Sequence, residues 1–193
     1  MMKPIIAIVL AALVLFGASF GLKNLGEQKA QAYHLELMKT LLPGSESFTV
    51  EPYDGEDANI LSVHKAENGY VIETSTYGYA GQITMLIGVG NDGKVTGLVV
   101  KEAHETPGLG NNALTDHVFL SQFLNGDGEF SVATAGADAF SGATGETTSA
   151  DTSEVDAITG ATVTSKAVVR CVNSATAYVT GADVSSSATE WGG

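Results

Sequence analysis

From Tyr70 to Val100 the chain reads YVIETSTYGYAGQITMLIGVGNDGKVTGLVV. Tyr70 to Tyr77 is dense in β-branched and aromatic residues, which suit a pleated, half-buried surface. After a Gly-rich gap, Ile83, Met85, Ile87 and Val89 alternate with Thr84, Leu86 and Gly88. A period of two sends successive side chains to opposite faces, so one face is apolar. Asn91-Asp92-Gly93 supplies a turn, and Val95 to Val100 supplies the returning strand. The stretch predicts an antiparallel meander and places the domain in the α+β class, with helices flanking the sheet.

Upstream, Asn24 to Leu42 reads as an amphipathic helix. Ala30, Tyr33, Leu37 and Leu41 recur at helical spacing, Met38 and Leu42 widen the stripe, and Pro43-Gly44 stops it. Ile5 to Leu22 is an uncharged apolar run between Lys3 and Lys23. As a helix it would be about 27 Å long, close to the hydrocarbon thickness of a bilayer. We expect a retained transmembrane anchor rather than a cleaved signal peptide, because the run exceeds the usual apolar core of a signal of ~7–15 residues. Lys3 favours a cytoplasmic N-terminus, which leaves the remainder extracytoplasmic. Downstream, His117 to Leu124 reads as a short helix ended by Asn125-Gly126-Asp127-Gly128. Ala133 to Ser153 reads as a loop or surface insertion, rich in small residues. Ser165 to Val179 reads as a helix with Val168, Val169, Val172, Ala175 and Val179 on its apolar face, followed by Gly181. The expected divisions are an anchor over 1–23, a juxtamembrane helix over 24–44, a domain over 45–181 and a flexible tail over 182–193.

The chain carries 9 basic and 22 acidic residues, a net charge of −13. Such a surface repels nucleic-acid phosphates and anionic lipid headgroups, so no nucleic-acid partner is expected and membrane contact should come from apolar burial. Cys171 is the only cysteine, so no intrachain disulfide or thiolate cluster can form. His34, His64, His104 and His117 show no ligand-like spacing, and no metal site is expected. Neither a Ser-His-Asp constellation at a nucleophile elbow nor a nicotinamide site is expected, and no catalytic residue is assigned.

The most informative short stretch is Asp156-Ala-Ile-Thr-Gly-Ala-Thr-Val-Thr-Ser165. It reads as a small-residue turn opening into a helix. Gly160 and Ala161 let the backbone approach a ligand closely. Thr164 or Ser165 is a candidate cap, and the first free N–H groups would attract phosphate beside Thr162. The same residues also read as an ordinary capped helix start.

This stretch resembles the flavin-attachment motif of the FMN-binding domain family, which includes the G subunit of the Rnf complex and the C subunit of the sodium-pumping NADH:quinone oxidoreductase. In that family the last threonine of the (S/T)GAT element is esterified to the FMN phosphate, and the matching position is Thr162. The resemblance implies a flavin transferase for maturation. It assigns Thr159, Gly160, Ala161, Val163, Thr164 and Ser165 to the surroundings of the cofactor, and Asp156 to holding the turn or to recognition by the transferase. His104-Glu-Thr-Pro-Gly-Leu-Gly110 is similar to an element of the Rnf G subunit. Pro107-Gly108 makes a tight turn. Glu105 is expected to position the loop, Thr106 to bond flavin heteroatoms, Gly108 and Gly110 to leave room for a flat ring, and Leu109 to pack on it. Tyr79, in Gly78-Tyr-Ala-Gly81, is expected either to contact the ring or to serve structurally. One feature departs from the family pattern. Asp138-Ala-Phe-Ser-Gly-Ala-Thr144 repeats the motif eighteen positions earlier, followed by Gly145 and Glu146. Gly145 is a poor helix former and Glu146 would oppose a phosphate, so Thr144 is expected to stay unmodified, a second flavin being the alternative.

The resemblance thus implies an electron-transfer subunit of a membrane ion-translocating ferredoxin:NAD⁺ oxidoreductase, with FMN held covalently and no substrate turned over by this chain alone. Implied partners are the other membrane subunits, one of them also carrying covalent FMN, and iron–sulfur subunits. The alternatives are the C subunit of the quinone reductase, or a stand-alone anchored flavin carrier.

Overall fold

The computed structural model describes residues 29–108, 110–133 and 152–182. Leu109, the apolar run 5–22, Thr144 and the tail beyond 182 lie outside the described residues. Among the described residues no helix is long and apolar enough to cross a membrane. The chain divides into two compact units, residues 1–37 and 38–193. Helix α1 covers residues 29–41. In the first unit Ala30 and Tyr33 are exposed and Leu37 is half-buried. In the second, Met38, Leu41 and Leu42 are buried.

The second unit is built on a five-stranded antiparallel sheet with strands in sequence order: β1 (Thr49–Glu51), β2 (Ile60–Lys65), β3 (Gly69–Tyr77), β4 (Gln82–Gly90) and β5 (Val95–Ala103). The expected meander is its centre. Ile83, Met85, Ile87 and Val89 all face the main core and are fully buried. Gly88-Val-Gly90-Asn-Asp-Gly93 spaces its glycines as a dinucleotide fingerprint does. The run forms the β4–β5 hairpin instead, closed by Gly90 N–H to Lys94 O at 2.9 Å, and no helix follows it.

The sheet is covered on both faces, which simple alternation did not predict. Leu86 and Val71, on the opposite face from Ile87, are also fully buried. Gly88 and Gly97 are paired across β4 and β5. A Cβ on Gly88 would lie 2.2 Å from the Leu41 carbonyl oxygen, and one on Gly97 would lie 3.0 Å from Leu41 Cα. The two glycines therefore form a seat for the last turn of α1, fastened by Thr96 Oγ1 donating to Leu41 O at 2.6 Å. Burial of each large apolar side chain there contributes about 1.5–3 kcal/mol.

Beyond the sheet come α2 (Gly110–Thr115), α3 (His117–Ser121), β6 (Glu129–Ala133), β7 (Thr152–Asp156) and α4 (Thr162–Thr180). Asp116 caps α3 by accepting from the N–H groups of Val118 and Phe119. β6 and β7 form a parallel pair. This corrects the expectation of a loop from Ala133 to Ser153: Ala133, Thr152 and Ser153 are strand residues. α4 packs between β3–β4 and β6. Val168, Val169, Val172 and Ala175 are buried as the periodicity predicts, but so are Asn173, Ser174 and Thr176. The helix is enclosed on more than one side, so its polar residues need internal partners. The Asn173 amide supplies one set, accepting from Phe130 N–H and donating to Phe130 O, both at 2.9 Å.

Candidate functional site

The GAT turn is where β7 runs into α4. Gly160 has φ +80°, a left-handed conformation that non-glycine residues adopt at a cost of about 1–2 kcal/mol. The turn closes with Ala161 N–H to Ile158 O at 2.9 Å. Helix α4 begins at Thr162, with Ala161 in the cap position and no side-chain cap. The structure corrects the expectation that Thr164 or Ser165 caps the helix: both lie inside its first turn. Ser165 Oγ donates back to Ala161 O at 3.0 Å and accepts from Ile158 N–H at 3.2 Å. Among the described residues, the N–H groups of Thr162, Val163 and Thr164 have no acceptor. These are the orphan donors of a helix start, at the positive end of its dipole, and the first turn contains no acidic residue.

Burial separates the four hydroxyls of the motif. Thr164 is 1% exposed and Ser165 0%. Thr159 and Thr162 are exposed. Only Thr162 combines an open hydroxyl with a place on the first helical residue. Lys166, one turn further on, is exposed and has no ion pair among the described residues. Residues four apart share a helix face and helical side chains lean toward the N-terminus, so Lys166 belongs to the face that carries Thr162. An uncapped helix start, an open hydroxyl and a free cation on one face fit an attached phosphate.

The loop from His104 to Gly110 meets this turn through Glu105. Its carboxylate accepts from Thr164 Oγ1 at 3.3 Å and from Ala80 N–H at 3.3 and 3.4 Å. Glu105, Thr164, Gly110 and the Gly78–Gly81 turn are thereby gathered at one place. Gly110 is buried at the start of α2, Thr106 is half-buried, and Gly108 is exposed. Tyr79 is 73% exposed, as is Tyr77. Val163, on the first turn of α4, is exposed as well. Asp156 is exposed at the end of β7, and it is its backbone that is held: Gln122 Oε1 accepts from Asp156 N–H at 2.8 Å and Gln122 Nε2 donates to Asp156 O at 3.4 Å. Sequence reasoning missed Gln122. It also missed Asn112, whose amide holds Gly108 O at 2.9 Å, and Arg170, which holds Tyr77 O at 2.9 Å. No local pattern marks such residues, because their partners are distant in sequence or are backbone atoms. No group of His, Cys, Asp and Glu able to hold a metal occurs among the described residues.

Residues 78–177 match the FMN-binding domain model. The chain belongs to the FMN-binding domain family. The match takes in every element gathered above, from the Gly78–Gly81 turn through Glu105 to α4. Relatives of this FMN-binding domain protein include the G subunit of the Na⁺-translocating ferredoxin:NAD⁺ oxidoreductase complex of Acetobacterium woodii, 37% identical over 54% of this chain and 46% of that one. The G subunit of the ion-translocating oxidoreductase complex of Methanosarcina acetivorans is 34% identical over 75% of this chain and 73% of that one. The chain spans about half the length of the first of these. Among solved structures, the C subunit of the Na⁺-translocating NADH-quinone reductase of Parabacteroides distasonis has a TM-score of 0.45 and 24% identity, over 62% of this chain and 60% of that one, too remote to carry an argument.

Proposed function

We propose that this FMN-binding domain protein is the G-type electron-transfer subunit of a membrane ion-translocating ferredoxin:NAD⁺ oxidoreductase, carrying FMN as a phosphoester on Thr162. The observation that carries the reading is the exposed Thr162 hydroxyl on the first residue of an uncapped helix, inside the family-matched segment. Bound FMN supplies the redox chemistry. The protein's own share is to hold the phosphate and orient what is attached. The N–H groups of Thr162, Val163 and Thr164 face the ester, and Lys166 offsets its charge. Ser165 and Gly160 shape the turn, leaving Thr162 open to a flavin transferase. The Glu105–Gly110 loop and the Tyr79 turn border the attached group. Residues 5–22 anchor the chain, with the domain on the extracytoplasmic side. The partners are the complex's other membrane subunits, including a second one with covalent FMN, and its iron–sulfur subunits.

Peptide mass spectrometry of the chain matured with its transferase tests the attachment. The fragment holding Thr162 should carry the added FMN mass. Thr162→Ser should keep it and Thr162→Ala should lose it, along with the ultraviolet fluorescence of the denatured band. The assignment fails if the FMN mass is found on the Thr144 fragment alone, or on none.

A further inference from the structure

Glu105 sits in a slot whose walls are glycines. A Cβ on Gly78 would fall 1.9 Å from Glu105 Oε1, and one on Gly110 would fall 2.3 Å from Oε2 and 2.8 Å from Thr164 Oγ1. Neither wall has room for a side chain, so the carboxylate reaches past both to the first turn of α4. There it accepts the hydroxyl of Thr164, which is 1% exposed. Its other contact is the Ala80 N–H in the β3–β4 turn. One carboxylate thus joins three segments that are far apart in sequence: the Tyr79 turn, the loop after β5, and the helix start two residues past Thr162. A carboxylate suits the position because both partners are donors and it is acceptor-only. A glutamine would keep one carbonyl for the Ala80 N–H and turn its N–H₂ to the Thr164 hydroxyl, which would have to change from donor to acceptor.

Resting on the reading that Thr162 carries FMN, we propose that Glu105 is a positioning residue that locks the first turn of α4 to the Tyr79 turn, so that the group attached at Thr162 is held in one orientation. Glu105 touches neither Thr162 nor the ester. It acts through Thr164 and Ala80. Phosphoester formation needs only the exposed turn, so the attachment survives loss of Glu105 while the fixed orientation does not.

The experiment uses the full chain, matured with the transferase, as wild type, Glu105→Gln, Glu105→Ala, Thr164→Val and Gly110→Ala. Three quantities are read: the FMN mass on Thr162, the amide exchange of Ala80, and the visible circular dichroism per attached flavin. All variants should keep the FMN mass. Exchange at Ala80 should rise about tenfold or more in Glu105→Ala, as expected for loss of a charge-assisted hydrogen bond. The flavin dichroism should fall in Glu105→Ala, and less in Glu105→Gln, which keeps one acceptor. Gly110→Ala should copy Glu105→Ala by filling the slot, and should add nothing in the double variant. Thr164→Val preserves size and should lower the dichroism with the melting temperature near wild type, which separates orientation from general loosening. Unchanged dichroism in Glu105→Ala and Thr164→Val, with FMN in place, overturns the proposal alone. Absence of FMN from Thr162 in the wild type overturns the functional reading, and this proposal with it.

Discussion

Replacing Asn173 should destabilise the domain through two backbone groups on another element. Asn173 lies in the middle of α4, 8% exposed, and its amide meets both the N–H and the C=O of Phe130, itself 2% exposed. In Asn173→Leu the branched shape is kept and no cavity opens, although the side chain is larger, and both Phe130 groups lose their partner away from water. Each buried unsatisfied group costs about 1–3 kcal/mol, so the total is about 2–6 kcal/mol. Against a typical domain stability of about 5–15 kcal/mol, that is a large fraction. For a domain of this size it lowers the melting temperature by roughly 2–4 °C per kcal/mol, on the order of 10 °C in all. Calorimetry, with urea titration monitored by far-ultraviolet dichroism, measures it. Asn173→Ala, which leaves a cavity in place of added bulk, should also lose at least the cost of the two unpaired groups. A midpoint for Asn173→Leu within about 2 °C of the wild type would refute the argument.

Two further expectations follow from buried contacts. Burial pushes the Cys171 thiol above its ordinary value of 9.0, so the folded chain keeps that proton at pH values where the unfolded chain releases it. This stabilising contribution is complete below the unfolded value and is lost as pH rises above it. Urea stability of the wild type relative to Cys171→Ala should therefore fall as pH rises above about 9, and parallel curves would contradict it. The comparison is needed because Tyr178 is also raised by burial and titrates in the same direction. At the seat of α1, Gly88→Ala puts a methyl 2.2 Å from the Leu41 carbonyl and should cost about 1–3 kcal/mol, with faster exchange at Leu42. Unaltered stability and exchange would show that Leu41 does not rest there.

The central strands were legible because Ile83, Met85, Ile87 and Val89 repeat at the pleat's own period beside an Asn-Asp-Gly turn. α4 was legible from its valines, and Gly181 ends it with φ +72° as a left-handed cap. The second covered face was not, since Gly88 and Gly97 act by lacking a side chain, and a missing Cβ does not name the helix that will approach. β6 and β7 escaped because EFSVA and TSEVD are short and only weakly alternating, and their parallel pairing joins residues more than twenty apart. The GAT turn was placed at a helix start from its composition. Its internal arrangement, with Ser165 turned back to Ala161 and Thr164 taken by Glu105, depends on a carboxylate 59 positions away. Local sequence names the hydroxyls and tertiary contact sorts them.

Among the described residues β6 and β7 form a sheet of two strands, and an unpaired border is an invitation to any extended chain nearby. Here each strand has part of its border occupied by a carboxamide that offers a donor and an acceptor together, as a neighbouring backbone would: Asn173 at Phe130 and Gln122 at Asp156. Among the described residues, two side chains thus stand where a further strand would pair, and what they guard against is recruitment of a stranger's backbone beside the turn that leads to Thr162.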